Sequence, residues 1–382
     1  MESKLAGDLD HLEPSLRARL DARGFEPQRL LALADGLASG EAPEVRRDAR
    51  NRVRGAVRGP TDVELLAVPK AGSAEAARLA EVGRACMARG ELAFCVMAGG
   101  MATRMGGVVK ALVPAFEDRT FLDVRLRENA KASAKAGKPV PLWLMTSEAT
   151  EGPIRDALAA RHAPPHVATF EQDLSLRLTP EGRLFCADDG KPSAHATGHG
   201  DLPDALRRSG LLASFRAGGG KYVWITNVDN LGATVDETIL GRFVTGASDV
   251  TVEVCDKLAG DRGGIPVHAE GRLQVLEEFR LPKDFDAAAV RVFNTNTFLV
   301  RAEALDLARF PWTFFEVEKK VDGRPALQLE RLLQELTAHL PSTYLRVSRH
   351  GTDSRFEPIK DNDELARRRD AIRAIATARG IV

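Results

Sequence analysis

Between Ala98 and Lys110 the chain carries residues suited to holding phosphate: Ala98-Gly99-Gly100-Met101-Ala102-Thr103-Arg104-Met105-Gly106-Gly107, then Lys110. Glycines let backbone approach a ligand closely and adopt conformations closed to other residues. Successive N–H groups ahead of a helix start then cradle a polyphosphate. Lys110 lies where it can reach a phosphate as negative charge builds on it. A glycine-rich turn also serves plain strand-to-helix packing; the added Thr103, Arg104 and Lys110 favour phosphate. The spacing is neither a Walker A loop nor a dinucleotide fingerprint. Farther along, Asn227-Val228-Asp229-Asn230 closes an apolar run. A carboxylate at such a strand end either caps the next turn or holds a hard cation such as Mg²⁺ together with phosphate oxygens. His195 and His199 would share a metal only on a helix, and Gly198 between them argues against one.

These residues need a scaffold, and the apolar pattern supplies it. Leu92–Met97, Val140–Met145, Tyr222–Val228 and Val250–Val254 read as buried strands, with helices such as Phe121–Ala136 and Leu202–Ala217 between them. Such alternation predicts an α/β fold with a Rossmann-like, mostly parallel sheet covered on both faces. Ligands then lie beyond the carboxyl ends of the strands. The first ninety residues read as helical: Leu5, Leu9, Leu12, Leu16 and Leu20 recur at three- and four-residue steps, and Pro14 suits the start of a second helix. Leu79, Val82 and Cys86 mark a helix ending near Gly90. The expected organisation is a helical segment over 1–90, a core over 91–345 and a short C-terminal segment over 346–382. The Arg-rich stretch from Arg46 to Arg58 reads as a solvated helix face. Gly218-Gly219-Gly220 reads as a turn, and His162 and His166, beside Pro164-Pro165, as loop residues.

Composition narrows the function classes. Lys plus Arg and Asp plus Glu each number 54, so the net charge is zero and the footprint of a nucleic-acid binder is missing. No apolar run approaches the roughly 20 residues that cross a bilayer, and Met1–Asp8 has no signal-peptide core. Cys86, Cys95, Cys186 and Cys255 are scattered and form no Cys-x-x-Cys pair, which points to reduced core residues and a cytoplasmic protein.

A long run resembles a known family. Thr197-Gly198-His199-Gly200-Asp201-Leu202-Pro203, followed by Asn227-Val228-Asp229-Asn230-Leu231-Gly232-Ala233-Thr234-Val235-Asp236, is similar to segments of eukaryotic-type UTP–glucose-1-phosphate uridylyltransferase. The glycine loop resembles the signature of sugar nucleotidyltransferases, except that Ala102 stands where that family has glycine. Colinear matches follow at Lys257, Gly263-Gly264, Glu277, Pro282-Lys283, Phe293-Asn294-Thr295-Asn296, Lys319, Asp322-Gly323, Gln328-Leu329-Glu330 and Arg355-Phe356, Pro358 and Lys360.

The resemblance implies a sugar-nucleotidyltransferase fold whose substrates are UTP and a sugar 1-phosphate, with Mg²⁺ as cofactor on Asp229. Arg104, Lys110 and Lys360 are then catalytic. Gly99, Gly100, Met101, Ala102, Thr103, Gln172 and Gly198 bind the nucleotide, Gln172 by pairing its amide with the uracil edge. His199, Asn227, Lys257, Gly264, Glu277, Asn294, Asn296 and Lys319 face the sugar phosphate, with one of the two asparagines reading a hydroxyl. The implied product is UDP-glucose. The rivals are a UDP-N-acetylhexosamine pyrophosphorylase and a non-catalytic nucleotide-sugar binder, the latter motivated by Ala102. The family's C-terminal β-helix, which mediates oligomerisation, is expected to be missing because the chain ends in a charged helical tail. A monomer or weak homo-oligomer follows, with no nucleic-acid or membrane partner.

Overall fold

A computed structural model describes residues 4–102, 105–117, 119–258, 260–307 and 309–381. The chain begins with α1 (Lys4–Asp10), α2 (Pro14–Ala22), α3 (Pro27–Ala38) and α4 (Pro43–Asn51). Prolines open the last three, at a position where the missing N–H is no loss. Leu5, Leu9, Leu16, Leu20, Leu30 and Leu33 are buried in a core of their own, separate from the main one. The Arg-rich stretch departs from the expected solvated face at Arg46, Asn51 and Val53, which are buried. Arg46 is buried and forms a bidentate pair with Glu316, at 2.9 and 2.7 Å. The partner lies 270 residues away, beyond the reach of any periodicity argument.

Strand β1 (Leu65–Ala67) and α5 (Ala74–Arg89) lead to β2 (Leu92–Met97), whose six residues are all buried. Gly90 ends α5 with φ of 79°. Two small hairpins follow, β3 (Met101–Ala102) with β4 (Val108–Val109), and β5 (Pro114–Phe116) with β6 (Arg119–Thr120). Helix α6 (Phe121–Ala136) precedes β7 (Leu142–Thr146), and α7 (Glu148–Ala160) precedes β8 (Val167–Glu171). Strands β9 (Leu174–Leu176) and β10 (Ala194–Ala196) pair with each other. The helix expected over 202–217 is two, α8 (Leu202–Arg208) and α9 (Leu211–Ala217), because Gly210 adopts φ of 76° and breaks the run. Next come β11 (Tyr222–Asn227), α10 (Glu237–Thr245), β12 (Val250–Asp256) and the hairpin β13 (Ile265–Ala269)–β14 (Arg272–Leu276). Strand β15 (Val292–Arg301), α11 (Ala302–Leu307), the hairpin β16 (Phe315–Val321)–β17 (Arg324–Glu330), α12 (Leu336–His339), β18 (Ser342–Arg346) and α13 (Asn362–Ala378) complete the chain.

The central sheet runs β1-β18-β12-β15-β11-β2-β7-β8. Strand β15 is antiparallel to both neighbours, while the remaining pairs are parallel. The sheet is thus mixed and mostly parallel, as the apolar runs predict. Helices α5 and α10 pack with almost no gap: a Cβ on Gly83 would lie 2.0 Å from the Glu237 carbonyl oxygen, and one on Gly241 1.8 Å from that of Leu79. Parallel strands place the ends of β2, β7, β8, β11, β12 and β18 at one edge. Because β15 is reversed, its beginning lies there too, with Val292 opposite Asp256.

Candidate active site

At this edge the glycine turn leaves β2 and folds back on itself. Lys110 N–H donates to Gly100 O at 3.2 Å, and Gly107 N–H to Ala102 O at 3.0 Å. Ala102 is accommodated: it pairs with Val108 as a strand residue, and the positive φ values fall on Gly106 and Gly107, at 88° and 74°. Thr103 and Arg104 lie outside the described residues. Met101 is exposed at the rim. Lys110 follows β4, and its Nζ meets Asp229 Oδ2 at 2.7 Å.

Asp229 is 6% exposed and stands just beyond β11. The turn carrying it is held from below by the buried Arg125 guanidinium, which donates to the carbonyls of Asn227 at 2.8 Å and Asn230 at 2.6 Å. The C-terminal segment closes over the same turn. Ile359 N–H donates to Asp229 Oδ2 at 3.3 Å, and the Asn230 amide bonds Arg355 O at 3.1 Å and Glu357 N–H at 2.8 Å. Lys360 is therefore adjacent in sequence to an Asp229 contact, and it is exposed.

On the other flank, Gln172 follows β8 and is buried. Its Oε1 lies 2.4 Å from where a Gly99 Cβ would be, so the carboxamide occupies space that only glycine leaves open. Ser147, at the start of α7, donates to Gly99 O at 2.9 Å. Gly198 has φ of 101°, and its missing Cβ would strike Arg331 O at 2.5 Å. Its glycine character is thus already required by the protein's own backbone. His199 accepts from Leu333 N–H at Nδ1, 2.9 Å away, and burial pushes its pKa down to about 4. The ring is neutral, with Nε2 left as the donor nitrogen. His195 is likewise held neutral by burial, at about 4, and its Nδ1 faces Ala196 O at 2.9 Å.

Of the residues predicted to face the sugar phosphate, Gly264, Glu277, Asn294 and Asn296 gather around the mouth of the β13–β14 hairpin. Gly264 and Glu277 stand opposite each other just beyond the paired Ile265 and Leu276. Burial, with Glu278 nearby, pushes the Glu277 carboxyl up to about 7, against hydrogen bonds from Gln334 and the Gly264 N–H. Asn294 N–H donates to Gly264 O at 2.8 Å. Asn294 and Asn296 then bond each other, side chain to side chain at 3.1 Å and Asn296 N–H to Asn294 Oδ1 at 2.9 Å. This local lock holds a bulge in β15, with Asn296 at φ of 58°.

Two predicted lysines are engaged elsewhere. Lys257 pairs with Glu278 at 3.1 Å and lines an open cavity with Asp256, Arg262, Arg291 and Arg346. Lys319 lies on the β16–β17 hairpin, not on the central sheet, and pairs with Glu330 at 3.1 Å. Asn227 ends β11, half-buried beside Asp229. A separate cavity of about 570 Å³, lined by Lys131, Asp236, Arg355 and Arg379, holds none of the predicted residues.

Several site-shaping residues carried no local signal. Arg331 bonds Asp173 at 2.5 Å, Asp201 at 2.6 Å and Asp204 at 2.5 Å, tying the loop after β8 to the His199 turn. Burial pushes the Asp201 carboxyl up to about 7 despite Arg331. Arg331 directly follows the Gln328-Leu329-Glu330 match, which is the one cue that pointed near it. Gln334, Ser147 and Arg125 had no cue.

Comparison with known proteins gives a consistent picture. A model of the UTP–glucose-1-phosphate uridylyltransferase family matches residues 67–373. The UTP–glucose-1-phosphate uridylyltransferase of Solanum tuberosum is 31% identical over 287 residues, covering 70% of this chain and 58% of that protein. The chain thus spans less than two thirds of the length of that relative. Among solved structures, the UDP-N-acetylglucosamine pyrophosphorylase of Trypanosoma brucei is similar with a TM-score of 0.74 at 21% identity, over 95% of this chain and 81% of that one. The UDP-glucose phosphorylase of Trypanosoma brucei has a TM-score of 0.71 at 22% identity, over 92% and 77%. Both share the fold.

Proposed function

This chain belongs to the UTP–glucose-1-phosphate uridylyltransferase family, and we propose that it joins UTP to a sugar 1-phosphate, forming a UDP-sugar and releasing pyrophosphate. The observation that carries this is the 2.7 Å contact of Lys110 with Asp229, at the end of a glycine turn whose Gly99 leaves room for the Gln172 carboxamide. In this reading the triphosphate lies over Gly99 and Gly100, and Gln172 meets the uracil edge. Arg104 and Lys110 take the α-phosphate, where charge grows during transfer.

Asp229 is the residue that would hold a magnesium ion. The fit is chemical: a hard cation of this kind needs one or two carboxylates and completes its shell with phosphate oxygens and water. Bound there, it would neutralise phosphate charge and align the two reactants. The protein's own part is positioning. Arg125 and Ile359 N–H fix the Asp229 turn, Lys110 supplies a cation at the same carboxylate, and Lys360 and His199 Nε2–H grip the sugar phosphate. The phosphate nucleophile is already ionised near neutrality, so no strong base is needed and the transfer is one in-line displacement. Gly264, Glu277 and Asn294 offer the hexose a matched set of donors and acceptors.

We place glucose 1-phosphate first among substrates, and the cytoplasm as the site of action. Among the described residues no helix is long and apolar enough to cross a membrane. The test is pyrophosphate release with UTP and the other nucleoside triphosphates against glucose, galactose and N-acetylglucosamine 1-phosphates. Release with UTP and glucose 1-phosphate, with inversion at the α-phosphorus, is expected. UTP binding without release in any combination would overturn the reading.

A further inference from the structure

The turn Leu333–Glu335 joins the two halves of the site. Its first residue gives its N–H to His199, and its second reaches Glu277. We propose that Gln334 is the positioning residue for Glu277, and that the pair selects a hexose offering hydroxyl donors at this corner; the second clause rests on the uridylyltransferase reading above.

Gln334 is fully buried and donates from Nε2 to Glu277 Oε1 at 2.6 Å. The turn that carries it is held in place. Thr337 donates its hydroxyl to Gln334 O at 2.6 Å and accepts Val275 N–H at 2.9 Å, which pins the turn to β14. Glu335 is anchored by Arg280 at 2.5 Å. In its ionised form the Glu277 carboxylate has acceptors only, and the Gln334 amide and the Gly264 N–H already donate to it. What remains for a ligand is an acceptor of fixed direction, which rewards an O–H and penalises a group without one. Gly264 lets the backbone lie against this pair: a Cβ there would sit 2.7 Å from Val275 Cγ1, 3.2 Å from Glu277 Oε1 and 3.6 Å from Gln334 Nε2. A second observation points to a ligand. Gln334 Oε1 is buried without any partner among the described residues, an acceptor that folded proteins seldom leave unmatched. A hexose hydroxyl, or a water carried in with it, supplies the missing donor.

Two readouts test the pair on the whole chain. Carboxyl-carbon NMR of Glu277 reports positioning without any substrate. Losing a donor to the charged form must raise its titration midpoint in Gln334→Met, and a second carboxylate in Gln334→Glu must raise it further. An unchanged midpoint in both variants overturns the positioning role. Steady-state kinetics reports selection: Gln334→Met should raise the KM for glucose 1-phosphate about tenfold while the KM for UTP stays within about twofold. Gln334→Glu should show a glucose 1-phosphate KM that worsens as pH rises, as the shared proton is lost. Equal changes in both KM values, or none, refute selection. If the wild type releases no pyrophosphate with any sugar 1-phosphate, the hexose half falls, while the Glu277 titration still decides the positioning half.

Discussion

Replacing Asp229 by Asn separates the carboxylate's charge from its shape. In the free protein the carboxylate meets the Lys110 ammonium at 2.7 Å, with side-chain exposures of 9% and 22%. At an effective dielectric near 20 the direct attraction is roughly 6 kcal/mol, from 332/(20 × 2.7). Desolvation cancels most of it. Breaking an exposed pair costs about 0–1 kcal/mol and a buried one about 3–5, so this intermediate pair should contribute about 2 kcal/mol to folding. Asn keeps the acceptor for Ile359 N–H, which limits the melting-temperature loss to under about 5 °C. The effect on turnover should be far larger, because a neutral amide oxygen holds a divalent cation much more weakly than a carboxylate. We expect kcat/KM to fall about 10³-fold, near 4 kcal/mol of transition-state stabilisation, and half-saturating magnesium to rise about tenfold or more. Lys110→Met should lower kcat to a similar degree but leave the magnesium dependence within about twofold, since its proposed role is charge at the phosphate. Because the two side chains share one contact, the double variant should lose less than the sum of the single losses. The assay is pyrophosphate release across magnesium concentrations, with melting measured on the same samples. A folded Asp229→Asn variant that keeps more than about a tenth of kcat/KM with unaltered magnesium dependence would refute the reasoning.

Gly99→Ala places a methyl 2.4 Å from Gln172 Oε1 and must displace the carboxamide, so the KM for UTP should rise about tenfold with little change for the sugar 1-phosphate; equal binding of both substrates in the variant would show that Gln172 does not read the nucleotide. Glu277 gives a pH signature: its carboxyl is raised from 4.5 to about 7, so the folded state keeps a proton that the unfolded chain has released. Stability from this source is complete below pH 4.5 and is lost as pH rises towards about 7, and Glu277→Gln should flatten that part of the melting-temperature profile; an identical slope in the variant contradicts the burial argument. Gly83→Ala forces a Cβ to within 2.0 Å of Glu237 O between α5 and α10 and should cost about 3 kcal/mol, seen in urea unfolding, with kcat/KM nearly unchanged at 25 °C. A loss below about 0.5 kcal/mol would mean that the two helices separate easily.

What could be read from the sequence was what local physics records. Leu92–Met97 and Phe121–Ala136 match the expected bounds to the residue: a strand buried on both faces is a continuous apolar run, and the structure shows the helix start capped by Thr120. Lys110 and Asp229 were named separately from the glycine turn and the strand end, and the fold brings them together. Ala102 raised a conflict that the structure resolves: the left-handed positions are Gly106 and Gly107, so alanine two residues after Gly100 only has to pair in a strand. The illegible part is pairing at long range. Arg46 with Glu316, Arg331 with three aspartates, and Gln334 with Glu277 join residues whose neighbours in sequence say nothing of the partner.

The N-terminal helices show what such pairing does for the site. Their leucines pack against Leu174, Leu176, Leu327 and Leu329, residues of β9 and β17. Those strands adjoin Gln172 and Asp173 on one side and Arg331 on the other, so the helical core grips the two segments that meet at Gly198. Arg23 adds polar ties at the same seam, to Glu171 at 2.7 Å and through its carbonyl to Leu174 N–H at 3.0 Å. The first helices therefore support the Gln172 and Gly198 flank of the candidate site. Loosening them should reach Gln172 through β9 before it reaches Asp229, whose own turn is clamped by Arg125 and the C-terminal segment.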